Sequence, residues 1–208
     1  IKSITRSADG IMIARGDLGI EIPMQKVPIV QKKIINLCLN YSKPVVVATQ
    51  LMEGMINNSI TTRAETNDVA NAVFDGADAL MLSGETAIGK YPIKVVRAMT
   101  KIILSVEASS LNFRNKLILN PKKANDRYIS DSICYYASEL ADQVQSKAII
   151  TLTHSGYNAQ KIASNRPSAF IYVFTHNKRI LNSLSLLWGI YGFYYDKFNS
   201  TDDTIKDL

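Results

Sequence analysis

The first half of the chain alternates between short apolar runs and longer stretches in which apolar residues recur at helical spacing. Each short run is bounded by turn-forming residues, which is typical of strands buried on both faces of a parallel sheet. The predicted strands are residues 10–14, 44–48 and 77–82. The predicted helices are residues 24–41, 62–75 and 93–107. The alternation predicts an α/β fold made of three strand–helix units.

A regular spacing links the residues that follow the three predicted strands. Asp17 is followed by Thr49 after 32 residues and by Ser83 after a further 34, a period that suits one strand–helix unit. Because parallel crossovers are right-handed, equivalent positions after successive strands lie side by side. We therefore expect a polar group at one edge of the sheet, whether the sheet is open or closed. Its members are Gly16, Asp17, Thr49, Ser83 and Glu85.

The chemistry of this polar group fits a magnesium and anion site. Mg²⁺ prefers oxygen ligands and is usually held by one or two carboxylates with substrate phosphates and water, so Asp17 suits it. The backbone amides of Gly16 and Asp17, in a turn that glycine permits, can hold a carboxylate or phosphate. Thr49 and Ser83 add hydroxyl groups. An ordinary strand–helix turn with a capping aspartate explains the segment equally well, and Arg15, the nearest cation in sequence, can point away from Asp17.

The second half of the chain predicts a linker and then a smaller parallel α/β domain. Residues 111–126 are polar with scattered apolar positions, which is typical of a linker. Residues 129–144 return to helical spacing, with an apolar face made of Ile129, Ile133, Tyr136, Ala137, Leu140 and Ala141. Further predicted strands are residues 148–152, 170–174 and 191–195, with helices at 158–165 and 178–187.

A polar loop, Thr153–Asn158, lies between a predicted strand and a predicted helix and is rich in hydroxyl groups. A helix N-terminus with small polar residues favours anions, although simple capping of the helix also explains the loop. We interpret His154 and His176 as loop residues because no Cys, Ser or carboxylate stands at catalytic or metal-ligand spacing from them. The aromatic residues around Trp188 are interpreted as strand and core packing.

Charge and cysteine usage restrict the partners. The 208 residues carry a formal net charge of +6, with Lys and Arg spread along the chain. This pattern disfavours nucleic-acid binding and suits small anionic ligands. Cys38 and Cys134 match no metal-ligand spacing, which favours buried free thiols in a reducing compartment. No apolar run approaches the roughly 18 residues of a membrane span, so we expect a soluble, cytoplasmic protein without a membrane partner.

Three segments carry a resemblance to a known family. They are ARGDLGIEIP at residues 14–23, KPVVVATQ at residues 43–50 and TRAETNDVANAVFDGADALMLSGETAIGKYP at residues 62–92. Together they resemble the second half of the catalytic barrel of the pyruvate kinase family. The resemblance implies a partial (β/α)8 TIM barrel in residues 1–110, a linker in residues 111–126 and a truncated α/β C-terminal regulatory domain in residues 127–208. The first residue is not Met, and we expect a piece of a longer protein.

The resemblance also implies an activity and roles for the polar group. The activity is phosphoryl transfer from phosphoenolpyruvate to ADP, with Mg²⁺ (or Mn²⁺) and K⁺. Asp17 matches a metal ligand, and the amides of Gly16 and Asp17 with Thr49 match the groups that hold the substrate carboxylate. Thr49 also matches a residue that protonates enolpyruvate, near a water ordered by Ser83 and Glu85. The family's Lys-x-Glu signature would lie upstream of this chain, so we expect the chain alone to be inactive.

Two further resemblances concern regulation and assembly. Arg63 and Glu65 resemble a barrel–barrel subunit contact, which implies a homotetramer for the intact protein. The polar loop resembles a TxSGxSA phosphate pocket for a sugar-phosphate effector, and the implied effector residues are Thr153, Ser155, Gly156 and Asn158. His154, Tyr157 and Asn158 depart from the Lys, Arg and Ser of fructose-bisphosphate binders, so the effector's identity stays open. The alternatives are a regulatory and oligomerisation module without catalysis, and another barrel enzyme that handles phosphorylated substrates.

Overall fold

The computed structural model describes residues 1–109, 126–197 and 207. The chain divides into two compact units, one made of Ile1–Leu119 with Ser164–Arg166 and the other of Asn120–Ala163 with Pro167–Leu208. The predicted linker lies outside the described residues except for its last residue, Asp126. None of the described helices is both long enough and apolar enough to cross a membrane.

The first unit is built on three parallel strands that lie in chain order across one sheet. The strands are β1 (Ile11–Ala14), β2 (Val45–Ala48) and β3 (Ala79–Met81). Ile13 of β1 pairs with Val47 of β2, which in turn pairs with Leu80 of β3. The three predicted strands are confirmed, each slightly shorter than predicted.

Helices precede, connect and follow these strands, and the helices predicted at residues 24–41, 62–75 and 93–107 are among them. The helices are α1 (Lys2–Ser7), α2 (Arg15–Glu21), α3 (Val27–Tyr41), α4 (Arg63–Phe74), α5 (Gly84–Ala87) and α6 (Pro92–Glu107), with 3-10 turns at Met24–Lys26 and Glu53–Ile56. A capping box begins α4: the Glu65 amide donates to the Thr62 hydroxyl, and the Thr62 amide donates to the Glu65 carboxylate. Two otherwise unpaired amides at the start of this helix are thereby satisfied.

The core of the first unit lies between the sheet and its helices. Val45 and Val47 of β2 are fully buried, as are Ile35 and Cys38 of α3. Burial, followed by the negative charge of Asp78, raises the pKa of the Cys38 thiol to about 12. The thiol is therefore a small apolar core group, as predicted for a free buried cysteine.

The second unit repeats the design with a second parallel sheet. Its strands are β4 (Ala148–Leu152), β5 (Phe170–Thr175) and β6 (Ile190–Tyr194), and its helices are α7 (Tyr128–Gln143), α8 (Tyr157–Ser164) and α9 (Lys178–Leu184). Ile171 and Val173 of β5 are fully buried among residues of the helices. Tyr191 and Phe193 lie in β6 as predicted, but their rings are about half-exposed and pack on other rings of the sheet instead of entering the core.

Two local predictions are wrong. The segment Arg15–Gly16–Asp17 forms the first turn of α2, not a glycine-dependent turn. Among the described glycines, positive φ angles occur at Gly76, Gly156 and Gly189, so Gly16 adopts a backbone conformation open to other residues.

The second wrong prediction concerns which face of α7 is buried. The residues predicted to form its apolar face include Ile129, Ile133 and Leu140, and these are more than half exposed. The buried positions are Asp131, Cys134, Ser138 and Ala141. The helix boundaries agree with the prediction, whereas the inward face differs because Asp131 finds charged and polar partners inside the unit.

Candidate active site

The predicted polar group is assembled from three neighbouring strand ends of the first sheet. Gly16 and Asp17 lie in the first turn of α2, which starts directly after β1. Thr49 is the first residue after β2, and Ser83 stands between β3 and α5. Because the strands are parallel and in register, these ends lie side by side at one edge of the sheet.

A direct hydrogen bond joins the ends of β1 and β2. The Gly16 amide donates to Thr49 Oγ1 over 3.0 Å. Gly16 lies in the first turn of α2, so its N–H has no carbonyl acceptor within the helix, and Thr49 supplies one. An anion that approaches this edge would therefore meet a backbone amide and a hydroxyl that are already held together.

Asp17 presents an exposed carboxylate at this edge of the sheet. Its side chain is exposed, and it makes no hydrogen bond or ion pair with any residue that the structure describes. The described ranges contain no group of three or more His, Cys, Asp and Glu side chains that could hold a metal ion. The donor set fits an ion such as Mg²⁺, which one carboxylate can hold together with substrate and water oxygens.

Arg15 turns away from Asp17 toward the segment that follows β2. Its Nε and Nη2 donate to the Thr49 carbonyl oxygen at 3.2 and 2.9 Å, and Nη2 also donates to the Gln50 carbonyl at 2.8 Å. Its Nη1 pairs with Asp68 Oδ1 of α4 at 2.7 Å, and the side chain is only 11% exposed. Reasoning from the sequence missed this contact, because Asp68 lies 53 positions away in an ordinary helical pattern.

The backbone of the segment held by Arg15 is unusual. Thr49 and Gln50 have φ angles of 69° and 55°, so both adopt the left-handed conformation. A β-branched residue rarely adopts this conformation. Each such residue costs about 1–3 kcal/mol and persists where the surroundings hold it. The left-handed backbone therefore occurs at Thr49, the residue whose hydroxyl accepts the Gly16 amide.

Glu85 links the segments that follow β2 and β3. It is 3% exposed, and its two oxygens accept hydrogen bonds from the amides of Met52 at 3.2 Å and Ser83 at 2.8 Å. The carboxylate is therefore engaged by backbone donors of both segments. This arrangement fixes the position of Ser83, whose side chain is exposed at the sheet edge.

The two residues predicted at a subunit contact lie in the first turn of α4. Arg63 is exposed, whereas the Glu65 carboxylate accepts hydrogen bonds from the amides of Gly54 and Thr62 and the hydroxyl groups of Thr61 and Thr62. Burial tends to raise the pKa of Glu65, but these hydrogen bonds outweigh it and hold the pKa below its ordinary value. Glu65 therefore organises the start of its own helix.

The loop Thr153–Asn158 caps helix α8. The Gly156 amide donates to Thr153 Oγ1 at 2.9 Å, and the Tyr157 amide donates to Ser155 Oγ at 3.4 Å. Gly156 has a φ of +80°, and a Cβ there would stand 2.9 Å from a methyl group of Ile180, so only glycine fits. The capping interpretation thus accounts for the two hydroxyl groups of this loop.

A polar cluster that the sequence pattern did not reveal lies beside this loop. The Tyr157 hydroxyl donates to the buried Asp131, which also faces Lys161 Nζ at 3.4 Å, and the Arg127 guanidinium lies 4.3 Å from the centre of the Tyr157 ring. Burial, followed by the hydrogen bond to Asp131, raises the pKa of Tyr157 to about 12. The Tyr157 side chain is therefore engaged with α7.

The two histidines lie in loops, as predicted. His154 follows β4 and His176 follows β5, and their ring centres are 4.8 Å apart. Both side chains are exposed.

Comparison with known proteins gives the same assignment along the chain. A family model described as pyruvate kinase, barrel domain, matches residues 1–96, and one described as pyruvate kinase, alpha/beta domain, matches residues 131–208. Pyruvate kinase of Clostridium acetobutylicum is 42% identical over 206 residues, which are 99% of this chain and 43% of the relative. Pyruvate kinase of Geobacillus stearothermophilus is 43% identical over 205 residues, covering 99% of this chain and 35% of the relative.

A solved structure agrees with these matches. The crystal structure of a pyruvate kinase from Cryptosporidium parvum aligns with a TM-score of 0.88 and 37% identity, covering 99% of this chain and 41% of that chain. The present chain thus spans less than half the length of these relatives. The fold defines part of a (β/α)8 barrel followed by a smaller α/β domain. The chain belongs to the pyruvate kinase family.

Proposed function

We propose that this chain is part of a pyruvate kinase, a glycolytic phosphotransferase that converts phosphoenolpyruvate and ADP to pyruvate and ATP. The observation that carries the proposal is the hydrogen bond between the Gly16 amide and Thr49 Oγ1, beside the exposed carboxylate of Asp17. An amide, a hydroxyl and a carboxylate at one sheet edge suit a substrate that carries a carboxylate and binds through a divalent cation.

Each member of the group has a proposed role. The Asp17 amide and the Thr49 hydroxyl bind the carboxylate of phosphoenolpyruvate, and the Gly16 amide, which donates to Thr49 Oγ1, shares its hydrogen with that carboxylate. The Asp17 side chain holds Mg²⁺ or Mn²⁺. When bound, the cation would neutralise charge on the transferring phosphoryl group. Thr49 protonates the enolpyruvate carbon, while Ser83 and Glu85 keep this region of the site ordered. K⁺ is a proposed second cation, carried over from the family.

The proposal assigns the remaining chemistry to the rest of the protein. The polar group contains no lysine, and its second carboxylate, Glu85, accepts hydrogen bonds from the amides of Met52 and Ser83. The family resemblance places a lysine and a further carboxylate in a Lys-x-Glu segment. We therefore expect the 208-residue chain alone to lack turnover, and the activity belongs to the whole protein.

We also propose an oligomeric state, a cellular location and an effector site. We propose a homotetramer of the whole protein with Arg63 and Glu65 near a subunit contact, and a cytoplasmic location. A sugar-phosphate effector would use Thr153, Ser155, Gly156 and Asn158. The hydroxyl oxygens of Thr153 and Ser155 accept the capping hydrogen bonds of this loop, so their hydroxyl hydrogens would be the groups that donate to a phosphate. Calorimetry with fructose 1,6-bisphosphate tests whether this second unit binds such a ligand.

Replacing Asp17 tests the catalytic proposal. In the whole protein, Asp17→Ala should abolish nearly all formation of pyruvate from phosphoenolpyruvate and ADP, because the cation loses its carboxylate. Glu21→Ala is the matched control, since Glu21 is an exposed carboxylate of the same helix, and it should keep wild-type turnover. Substantial activity in the Asp17 variant would overturn the metal assignment. A wild-type protein inactive with both substrates, Mg²⁺ and K⁺ would overturn the function.

A further inference from the structure

Arg15 uses all three of its guanidinium nitrogens inside the protein. Nε and Nη2 converge on the Thr49 carbonyl, Nη2 reaches the Gln50 carbonyl, and Nη1 is held by Asp68. Arginine suits this task because its planar fork carries five donors in fixed directions, whereas lysine is a single point charge. The contacts therefore fix two consecutive carbonyl groups in both position and orientation.

Those two carbonyl groups belong to the residues with left-handed backbone, Thr49 and Gln50. Strain of this kind persists only where the surroundings hold it. In the first unit, Arg15 provides three hydrogen bonds to this segment. Its removal would let Thr49 relax toward an ordinary backbone conformation. The Thr49 hydroxyl would then leave the Gly16 amide.

We propose that Arg15 is a positioning residue for the substrate carboxylate. It acts through the backbone of Thr49 and Gln50, without touching substrate, and it sets how tightly phosphoenolpyruvate binds. This inference rests on the proposed function in one respect only, the identity of the bound carboxylate. The placement of the Thr49 hydroxyl by Arg15 concerns the protein alone and can be measured without substrate.

The experiment compares four forms of the whole protein: wild type, Arg15→Ala, Gln50→Gly and the double variant. Arg15→Ala should raise the KM for phosphoenolpyruvate and, because Thr49 is also the proposed proton donor, lower kcat. The value of kcat/KM should fall about 100-fold, as a misplacement of about 1 Å produces, while the KM for ADP stays unchanged. Glycine adopts positive φ without strain. In the double variant, Gln50→Gly should therefore restore part of the affinity that Arg15→Ala loses, with Gln50→Gly alone as the reference.

A second readout follows the turn directly. Amide hydrogen exchange at Thr49, Gln50 and Leu51 should accelerate in Arg15→Ala, while the segment around Asp78 keeps its wild-type rate. If Arg15→Ala does not fold, Arg15→Lys serves instead, because lysine keeps the charge but cannot reach both carbonyl groups with a fixed fork.

The outcomes separate the two proposals. An unchanged KM for phosphoenolpyruvate, a fall in kcat alone, or no rescue by Gln50→Gly would overturn the role of Arg15. If the wild-type protein turns over neither substrate, the proposed function fails, and hydrogen exchange still decides the positioning role. Unaltered exchange at Thr49 in the Arg15 variant would refute that role whatever the activity.

Discussion

Replacing Glu85 by alanine tests how the strand ends of the first sheet are held together. Glu85 is 3% exposed, and its carboxylate accepts from the amides of Met52 and Ser83. Hydrogen bonds to a charged group contribute about 1.5–3 kcal/mol each, and a buried donor left unpaired costs about 1–3 kcal/mol. Water that enters the space would recover part of this loss. We therefore expect the free energy of unfolding of the first unit to fall by about 3 kcal/mol.

A local probe can measure this loss. Cys38 is fully buried in the first unit, so its labelling by a thiol reagent along a urea titration reports the opening of that unit, with peptide mass spectrometry to separate it from Cys134. With a urea m-value of about 2 kcal/mol/M, a loss of about 3 kcal/mol lowers the midpoint by about 1.5 M. Thr86→Ala is the control. Thr86 lies next to Glu85, and its hydroxyl donates one local hydrogen bond, to the Ser83 carbonyl.

A second variant, Glu85→Gln, tests whether the negatively charged oxygens themselves are needed. Glu85→Gln keeps the shape but turns one oxygen into an NH₂ donor, which would face a backbone N–H. It should therefore be about as destabilising as Glu85→Ala, and not intermediate. The refuting result is a urea midpoint within about 0.3 M of wild type for both variants, which corresponds to about 0.6 kcal/mol at that m-value. Glu85 would then not be a buried link between two strand ends.

Two further predictions concern groups with shifted pKa values. Burial raises the pKa of Cys38 to about 12 and of Cys134 to about 11. Neither thiol should therefore react with Ellman's reagent at pH 8 until the protein is unfolded. Rapid stoichiometric reaction of the native protein would disprove this. Despite burial, hydrogen bonds from Gly54 and the α4 cap hold the pKa of Glu65 below its ordinary value. The ionised Glu65 therefore stabilises the folded protein above about pH 4.3, the pKa of Glu in an unfolded chain, and this stabilisation is lost as the pH falls. Glu65→Ala should cost about 1 kcal/mol at pH 7 and less at pH 3 by thermal melting. An equal cost at both pH values would contradict this prediction.

The sheets were the most predictable part of this fold. Val45, Val46 and Val47 form a continuous run of β-branched residues between turn residues, which is typical of a buried parallel strand. The 32- and 34-residue spacing of Asp17, Thr49 and Ser83 then predicted which edge would carry polar groups. These inferences succeeded because they depend on local composition and on the handedness of crossovers.

The inward face of α7 was not predictable in the same way. Periodicity identifies an apolar stripe, but it does not say what covers that stripe. In the described part of the chain, Ile129 and Ile133 are exposed while Asp131 is buried. Asp131 is tolerated inside because Lys161 and Tyr157 meet it from α8, and a pairing across 26 to 30 positions leaves no periodic signal.

The roles of Arg15 and Glu85 were hidden for a related reason. Both residues bind backbone groups of a neighbouring loop, and a backbone group carries no signature in the sequence. Arg15 could be seen to adjoin Asp17, but its direction depends on the left-handed conformation of Thr49 and Gln50, which nothing in their residue types indicates.

The hydrogen bond from the Gly16 amide to Thr49 Oγ1 has a consequence for the hydroxyl hydrogen of Thr49. A hydroxyl group has one hydrogen and two lone pairs. Because one lone pair receives the Gly16 hydrogen, the hydroxyl hydrogen must point elsewhere, and rotation about the Cβ–Oγ1 bond is confined to the orientations that keep this bond. The protein thereby aims a proton before any ligand arrives.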